Sequence, residues 1–240
     1  MTAYANITRK KNASNSLEAK LAFVERFSLF SCLNLEEKML LANQMEYREK
    51  TRYSFVYEAG ENSDVIYLLA EGAIKIGSNS SDGKEVIKAL IHPLAMFGEL
   101  GLVGETRRQE FAQAMKEEVV LYAVKVDDLR RLMRQNFELC SRIMLYLGNR
   151  LSLVEQKMES LIFKDARTRI VDFIKDSVSD RGQRVGYEML LRHSLTHQDI
   201  ANITCTSRQT VTLVLNELRK LDLIYFNRGK ILVRDLARLA

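Results

Sequence analysis

The sequence is poor in cysteine, and the few cysteines that it has are scattered. Cys32, Cys140 and Cys205 lie far apart in the chain and form no CxxC pair. This distribution argues against a disulfide framework, a zinc ribbon and an iron–sulfur centre. It is typical of a protein that works in the reducing cytoplasm.

Catalytic motifs are missing as well, since the sequence contains neither HExxH nor a nucleophile motif. His193 and His197 lie near Asp199 and could suggest a metal or acid–base site. However, Thr196 is expected to cap a helix that starts between the two histidines, so their side chains need not share a face. The sequence therefore gives little support to an enzyme.

Long apolar runs are absent too. No stretch reaches the roughly 18 uninterrupted apolar residues of a membrane span. No apolar run follows the basic residues Arg9, Lys10 and Lys11, so we expect neither a membrane helix nor a signal peptide. Hydrophobic residues make up 47% and charged residues 28% of the 240 positions, which predicts an ordinary globular protein of one large or two modest domains.

What the sequence does have is an uneven distribution of charge. Residues 164–240 contain 14 Lys and Arg against 9 Asp and Glu, whereas residues 1–163 contain 22 of each, so the whole net charge of +5 lies in the last third. A basic end on a neutral body is typical of a nucleic-acid-binding segment. The alternative is a chance imbalance of a few charges.

The spacing of hydrophobic residues divides the first half of the chain. Residues 1–16 are polar and predict a loose tail, and helical spacing follows to about Tyr47, with a turn at 31–34. Short runs rich in β-branched and aromatic residues, several of them separated by Gly-containing turns, then predict strands of a sandwich or small barrel at 52–58, 64–70, 73–77, 85–92 and 119–126.

A second helical segment is predicted over 127–163. Apolar residues recur in it at alternating spacings of 3 and 4, namely Met144, Leu147, Leu151, Val154, Met158 and Leu161. This a/d seam is typical of a helix that pairs with a copy of itself, so we expect a homodimer. The alternative is a helix that lies on the core of its own domain, but polar neighbours such as Asn149 and Gln156 favour a narrow seam.

The segment 195–226, LTHQDIANITCTSRQTVTLVLNELRKLDLIYF, predicts two short helices joined by a tight turn. The first helix is expected at about 197–203 with Thr196 as its N-cap. The second is expected to start with a capping box between Thr206 and Gln209. Together they predict a helix-turn-helix.

Polar residues occupy the start of the second helix, where helix-turn-helix proteins touch base edges: Ser207, Arg208, Gln209, Thr210 and Thr212. Arginine can pair with guanine and glutamine with adenine, and hydroxyl groups can hold phosphates. The alternative is a merely solvated first turn. We add Thr196 to these candidate DNA contacts, together with the cations Arg228 and Lys230 at the tip of a predicted hairpin wing.

With these features the chain resembles the Crp/Fnr family of bacterial transcription regulators (catabolite activator and fumarate–nitrate regulator), from about Phe23 to Val233. The resemblance rests on the LTHQDIANITCTSRQTVTLVLNEL segment, on the FGELGL segment at 97–102, and on the glycines Gly60, Gly72 and Gly83.

The resemblance implies an α+β protein with a β-roll sensor domain at 17–126, a dimerisation helix at 127–163 and a winged helix-turn-helix domain at 164–240. It also implies a cytoplasmic homodimer that binds a palindromic site in double-stranded DNA, with RNA polymerase as a further partner and no membrane. An effector in the β-roll would control DNA binding.

The candidate effector site comprises Gly98, Glu99, Leu100, Arg107, Arg108 and Gln109. In cyclic-nucleotide-binding members of the family, the Glu takes the ribose hydroxyl, and an Arg that precedes Ser or Thr takes the cyclic phosphate. Here Gln109 and Glu110 follow Arg108, and a carboxylate beside a phosphate is repulsive. We therefore do not expect a cyclic nucleotide.

Other cofactors of the family find little support. Iron–sulfur members need a cluster of N-terminal cysteines, of which only Cys32 is present. His92 and Met96 could bind haem, but a lone histidine is more often packed or solvated.

The recognition helix also departs from the family, whose members often carry Glu at the position of Gln209 and Arg at that of Leu213, so their base preference is not carried over. Cys205 stands where many members have Gly, and we interpret it as a small buried residue. An alternative function is a cyclic-nucleotide-binding module that acts on a protein partner, but the basic C-terminal helix-turn-helix argues against it.

Overall fold

The computed structural model describes residues 15–239, and most of the tail predicted for 1–16 lies outside the described residues. The contacts divide the chain into two units. One contains the residues up to Ser78 together with Ala89–Arg150, and the other contains Asn79–Lys88 together with the residues from Leu151 onward. No helix within 15–239 is both long and apolar enough to cross a membrane.

Two short helices open the first unit, α1 (Leu17–Arg26) and α2 (Leu35–Gln44). The side chain of Asn34 caps α2 in a capping box with Glu37. The helical spacing predicted to Tyr47 is wrong at its end, because strand β1 (Glu46–Lys50) begins there and pairs with a strand some 75 residues later in the chain. That partner is non-local, so local spacing does not reveal the strand.

The β-roll consists of two antiparallel sheets. Its strands after β1 are β2 (Phe55–Tyr57), β3 (Val65–Glu71), β4 (Ile74–Asn79), β5 (Glu85–Ile91), β6 (Met96–Phe97), β7 (Phe111–Ala114) and β8 (Val119–Lys125). The sheet orders are β1-β8-β3-β6 and β2-β7-β4-β5. The sequence analysis did not find β6 and β7, which are too short to show an alternating pattern. The apolar faces of strands from both sheets form a common core, in which the rings of Tyr57, Tyr67 and Phe97 pack on each other.

The single helix expected over 127–163 is two helices, α3 (Val126–Gln135) and α4 (Phe137–Phe163). Asn136 separates them in an extended conformation, and its side chain accepts a hydrogen bond from the backbone N–H of Leu139. Helix α3 packs Leu129 and Leu132 into the core beneath the β-roll. The expectation of one continuous helix is therefore wrong, because α3 ends at Gln135, and both α3 and the start of α4, through Leu139 and Ile143, pack on the core of the first unit.

The C-terminal residues form a winged helix. Its elements are α5 (Ala166–Arg181), β9 (Gln183–Val185), β10 (Glu188–Arg192), α6 (His197–Thr204), α7 (Arg208–Lys220), β11 (Ile224–Asn227) and β12 (Lys230–Val233). Its sheet has the order β11-β12-β10-β9. No strands were predicted between α5 and α6, but this segment contains the β9–β10 hairpin, whose turn is made by Gly186 with φ +63°.

Candidate nucleic-acid interface

Helix α6 begins where the sequence predicted. The hydroxyl of Thr196 accepts a hydrogen bond from the backbone N–H of Asp199 (3.1 Å), and the Asp199 carboxylate accepts one from the backbone N–H of Thr196 (2.8 Å). The predicted N-cap is thus confirmed, and it is part of a full capping box. The helix ends at Cys205, which has a left-handed conformation (φ 52°) that glycine adopts more readily than any other residue.

Helix α7 starts one residue later than predicted. Its N-cap is Ser207, whose hydroxyl accepts a hydrogen bond from the backbone N–H of Thr210 (3.0 Å). The capping box expected between Thr206 and Gln209 is therefore wrong, because Thr206 instead contacts the hydroxyl of Thr204 (3.0 Å). The shift places Arg208 and Gln209 in the first turn of the helix itself.

Helix α7 has one buried face and one exposed face. The buried face packs on the core of the winged helix through Val211, Val214, Leu215 and Leu218. The opposite face, which we call the outer face, carries Arg208, Gln209, Thr212, Leu213 and Asn216. Ser207, Arg208 and Gln209 are exposed, whereas Thr210 and Thr212 are half-buried. The exposed predicted contacts are therefore available to a partner.

His197 connects α6 with the outer face. Its Nδ1 lies 3.0 Å from the hydroxyl oxygen of Thr212, and that hydroxyl donates to the carbonyl of Arg208 (2.9 Å). A hydroxyl has one hydrogen, so the imidazole Nδ1 must be the donor to Thr212. Burial lowers the pKa of His197, and the charge of Arg208 lowers it further, which keeps the ring neutral near pH 7.

The guanidinium of Arg169, which we call the buttress, stabilises the turn between the two helices and was not predicted from the sequence. Arg169, on α5, donates from Nε to the carbonyl of Thr204 (2.9 Å) and from Nη2 to that of Cys205 (3.2 Å). Its Nη1 donates to the carbonyl of Lys164 (2.6 Å). The last carbonyls of a helix lack intrahelical partners, so this guanidinium satisfies the end of α6 and fixes the path of the chain into α7.

The wing is the β11–β12 hairpin, and it lies next to the helices. Its turn contains Arg228 and Gly229, and Gly229 has φ +74°. The Gly229 carbonyl accepts a hydrogen bond from the backbone N–H of His193 (2.9 Å), which ties the turn to the end of β10. Arg228 and Lys230 are both exposed at the tip, as the sequence predicted for a wing.

The three residues of the enzyme alternative have separate structural roles. His193 accepts a hydrogen bond from the backbone N–H of Leu195 (3.1 Å), His197 contacts Thr212, and Asp199 caps α6. Across the described part of the chain, no three His, Cys, Asp or Glu side chains are grouped as a metal would require.

The predicted seam lies on helix α4. Most of its side chains are exposed in the single chain, at 55% for Met144, 61% for Leu151, 64% for Val154, 57% for Met158 and 42% for Leu161. Leu147 is the exception, because it packs partly against the core of the first unit. The exposed members form an apolar stripe that no residue within 15–239 covers.

In the candidate effector site, Arg108 is turned into the β-roll. It is 3% exposed, and its guanidinium donates from Nη1 to the carbonyl of Gly98 (2.9 Å) and from Nη2 to that of Val65. The guanidinium carbon also lies 4.3 Å from the centre of the Tyr57 ring. A side chain at Gly98 would collide with this guanidinium, at 2.9 Å from Nη1. Arg108 thus links the backbone at Gly98 to the backbone at Val65 inside the β-roll.

Glu99 is likewise buried and has a partner within the chain. It is 3% exposed and forms an ion pair with Arg150 of α4, with 3.2 Å between Oε1 and Nε. Burial raises the pKa of the Glu99 carboxyl, and Arg150 opposes that shift. The sequence analysis missed Arg150 and Tyr57, since both reach the site from elements distant in sequence.

The other predicted effector residues face outward. Leu100, Arg107 and Gln109 are exposed, and Arg107 donates to the carbonyl of Gly60 (3.0 Å). The Nη1 and Nη2 groups of Arg108 point at main-chain carbonyls and not at a pocket for a ligand phosphate. Among the described residues, the buried Tyr57 hydroxyl and the Nε of Arg108 have no hydrogen-bond partner.

Two family models match the chain, a cyclic nucleotide-binding domain over residues 48–136 and a Crp-like helix-turn-helix domain over residues 168–240. Among curated proteins, the CRP-like cAMP-activated global transcriptional regulator of Mycobacterium tuberculosis is 28% identical over 200 residues, which cover 83% of this chain and 89% of the relative. The global nitrogen regulator of Synechococcus elongatus is 27% identical over 190 residues, 79% of this chain and 86% of that protein.

Among solved structures, FixK2 from Bradyrhizobium japonicum superposes with a TM-score of 0.73 at 20% identity, covering 81% of this chain and 95% of FixK2. At this identity the similarity concerns the fold. The β-roll followed by a basic winged helix defines a DNA-binding transcription regulator. Together with the two family models and the curated relatives, these features show that the chain belongs to the Crp/Fnr family.

Proposed function

We propose that this regulator acts as a homodimer that inserts the start of α7 from each subunit into the major groove of a palindromic operator. The observation that carries the proposal is the outer face of α7, where exposed polar side chains are held rigidly by the opposite apolar face. Helix-turn-helix proteins present their second helix to DNA in this way.

We assign the base contacts to Arg208 and Gln209, because both are exposed in the first turn of α7 and can pair bidentately with guanine and adenine. The hydroxyl groups of Ser207, Thr210, Thr212 and Thr196 surround this turn, and we assign them to the DNA backbone or to orientation of the helix. The exposed wing cations Arg228 and Lys230 would contact phosphates.

We assign dimerisation to the exposed stripe on α4. Met144, Leu147, Leu151, Val154, Met158 and Leu161 recur at alternating intervals of 3 and 4 residues. All of them except Leu147 are exposed among the residues that the structure describes. A second copy of the same helix would cover them in knobs-into-holes packing. Leu147 would contribute partly, from the edge of the seam.

The domain roles follow from these assignments. We propose that residues 17–126 serve as the sensor, 127–163 as the segment that leads to and forms the dimer contact, and 164–240 as the DNA-binding domain. The regulator would work in the cytoplasm with RNA polymerase as its further partner. Because Arg108 and Glu99 are engaged internally, we propose that the sensor does not respond to a cyclic nucleotide.

The test is selection of binding sites from a pool of randomised DNA duplexes by the full-length protein, followed by affinity measurement on the selected operator. The double variant Arg208→Ala, Gln209→Ala should weaken binding by at least about 30-fold per half-site, because two bidentate pairs contribute about 2 kcal/mol or more. The matched control is Gln183→Ala, Arg184→Ala, which removes the same two residue types from exposed positions of β9. Unchanged operator affinity in the α7 variant would exclude the assigned role.

A further inference from the structure

The outer face of α7 carries one apolar side chain among polar ones. Leu213 is 70% exposed, with Gln209 one turn before it and Asn216 one turn after it on the same face. At 100° per residue, Leu213 lies only about 40° around the helix from Gln209. An exposed leucine by itself is ordinary on a protein surface, so its surroundings decide whether it has a role.

Leu213 does not contribute to the hydrophobic core of the winged helix. Val211, Val214, Leu215 and Leu218 already complete the buried stripe of α7 on the opposite side. Helix propensity does not require leucine at this position either, because Lys, Arg, Gln or Glu would serve almost equally well and would be solvated. The residue therefore leaves an apolar surface midway along the helix, on the face that we assign to DNA.

The charges around Leu213 favour a phosphate-rich partner over an apolar one. Arg208 lies five residues before it, and Arg219 and Lys220 lie near the end of the same helix, all exposed. Glu217, four residues after Leu213, forms an ion pair with Arg167 of α5, and the wing adds Arg228 and Lys230. A leucine on a surface with this excess of cations suits a partner that carries both anionic groups and an apolar group.

The major groove of DNA has one such apolar group, the 5-methyl of thymine. We propose that Leu213 is a specificity-determining residue that recognises a thymine in each half-site by packing on its methyl group. This inference rests on the proposed function, since it requires α7 to lie in the major groove. With a rise of 1.5 Å per residue, Leu213 is about 6 Å further along α7 than Gln209, so the thymine should lie within about two base-pair steps of the base that Gln209 contacts.

The experiment uses the operator selected by the full-length protein. Each thymidine of a half-site is replaced in turn by deoxyuridine, which removes the methyl group and keeps every hydrogen-bonding group. At one position in each half-site, the replacement should weaken binding of the unaltered protein about fourfold, the value of one buried methyl. Replacement in both half-sites should weaken it about sixteenfold.

Two variants of the same side chain provide the decisive comparison. Leu213→Ala should bind the thymidine and deoxyuridine operators equally well, because it cannot reach the methyl. Leu213→Arg should change the preferred base at this position to guanine, the usual partner of arginine. The matched control is Leu221→Ala, since Leu221 is 56% exposed at the C-cap of the same helix and about 12 Å from Leu213 along the axis. It should retain the sensitivity to deoxyuridine.

The inference is overturned if no deoxyuridine replacement weakens binding, or if Leu213→Ala retains the same sensitivity as the unaltered protein. In both cases the selected operator would still be bound, so the proposed function would stand. If the random pool yields no preferred sequence at all, the proposed function fails first, and the assignment of Leu213 fails with it.

Discussion

Replacing Arg169 by methionine should destabilise the helix-turn-helix without changing any side chain of its proposed DNA-binding surface. The guanidinium of Arg169 donates to the carbonyls of Thr204 and Cys205 at 2.9 and 3.2 Å, and to that of Lys164 at 2.6 Å. Methionine keeps much of the aliphatic volume but offers no donor. The end of α6 then loses the partner of its last carbonyls, and Cys205 loses a contact that stabilises its left-handed backbone.

The expected cost follows from the number and environment of these bonds. A hydrogen bond to a charged group contributes about 1.5–3 kcal/mol when it is protected from water. Two of the three accepting carbonyls belong to Thr204, which is buried, and Cys205, which is half-buried, whereas that of Lys164 belongs to an exposed residue. We therefore expect Arg169→Met to lower the free energy of unfolding of the winged helix by about 3 kcal/mol.

The assay is urea unfolding followed by far-ultraviolet circular dichroism, with Arg167→Met as the matched control. Arg167 is on the same helix, but its ion pair with Glu217 (3.2 Å) joins side chains that are 37% and 49% exposed. Such surface pairs contribute between 0 and about 1 kcal/mol. If the two variants lose the same stability to within about 0.5 kcal/mol, the buttress assigned to Arg169 does not exist.

Three further predictions concern the seam, the sensor and the pH dependence. Leu151→Glu places like charges opposite each other in the paired helices and should weaken the dimer by at least about 100-fold. Light scattering should then detect monomers, and a dimer that persists contradicts the predicted seam. Arg150→Met leaves Glu99 charged and buried, so it should cost about 3 kcal/mol at pH 8. The cost should be less at pH 5, because burial raises the pKa of the Glu99 carboxyl and favours its protonation as the pH falls; equal losses at both pH values refute the ion pair. Burial lowers the pKa of His193 and His197 below 6.5, so the unfolded chain binds more protons near pH 6 and stability should decrease as the pH falls from 7 to 5. Replacing both histidines by Asn should flatten that urea-unfolding profile, and an unchanged slope would contradict the assignment.

Matched controls keep the first two of these predictions specific. Leu153→Glu introduces the same charge at an exposed position of α4 that is outside the 3–4 repeat, and the dimer should remain. Arg131→Met removes an ion pair with Asp128 on α3, with side chains 60% and 18% exposed. It should cost less than about 1 kcal/mol, with little change between pH 8 and pH 5.

The candidate DNA contacts were accessible to sequence reasoning because they depend on local chemistry. Thr196 as a cap, the polar start of α7 and the cationic wing tip follow from short-range rules of helix ends and hairpins. The one local error, the N-cap of α7, arose because Thr206 and Ser207 are both good caps. The hydroxyl of Thr206 contacts Thr204, which leaves Ser207 to cap the helix.

The sensor site shows where such reasoning stops. The motif around Glu99 and Arg108 is visible in the sequence, but the contacts that these two side chains make are not, because the residues that they contact come from distant parts of the chain. Arg150 is on α4 and Tyr57 is on β2. Only the closure of the β-roll brings them to the motif and turns Arg108 toward the carbonyls of Gly98 and Val65.

By itself, the sequence determined that this protein has strands followed by helices, an apolar seam and a basic helix-turn-helix, because residue periodicity and end-capping act over a few neighbours. The tertiary structure decided which of these groups have partners. It breaks the long helix at Asn136, braces the turn with Arg169 and engages Arg108 internally, and it leaves Leu213 exposed on α7. The cap by Asn136 is local, but the other outcomes depend on contacts between residues far apart in the chain, and no local pattern encodes them.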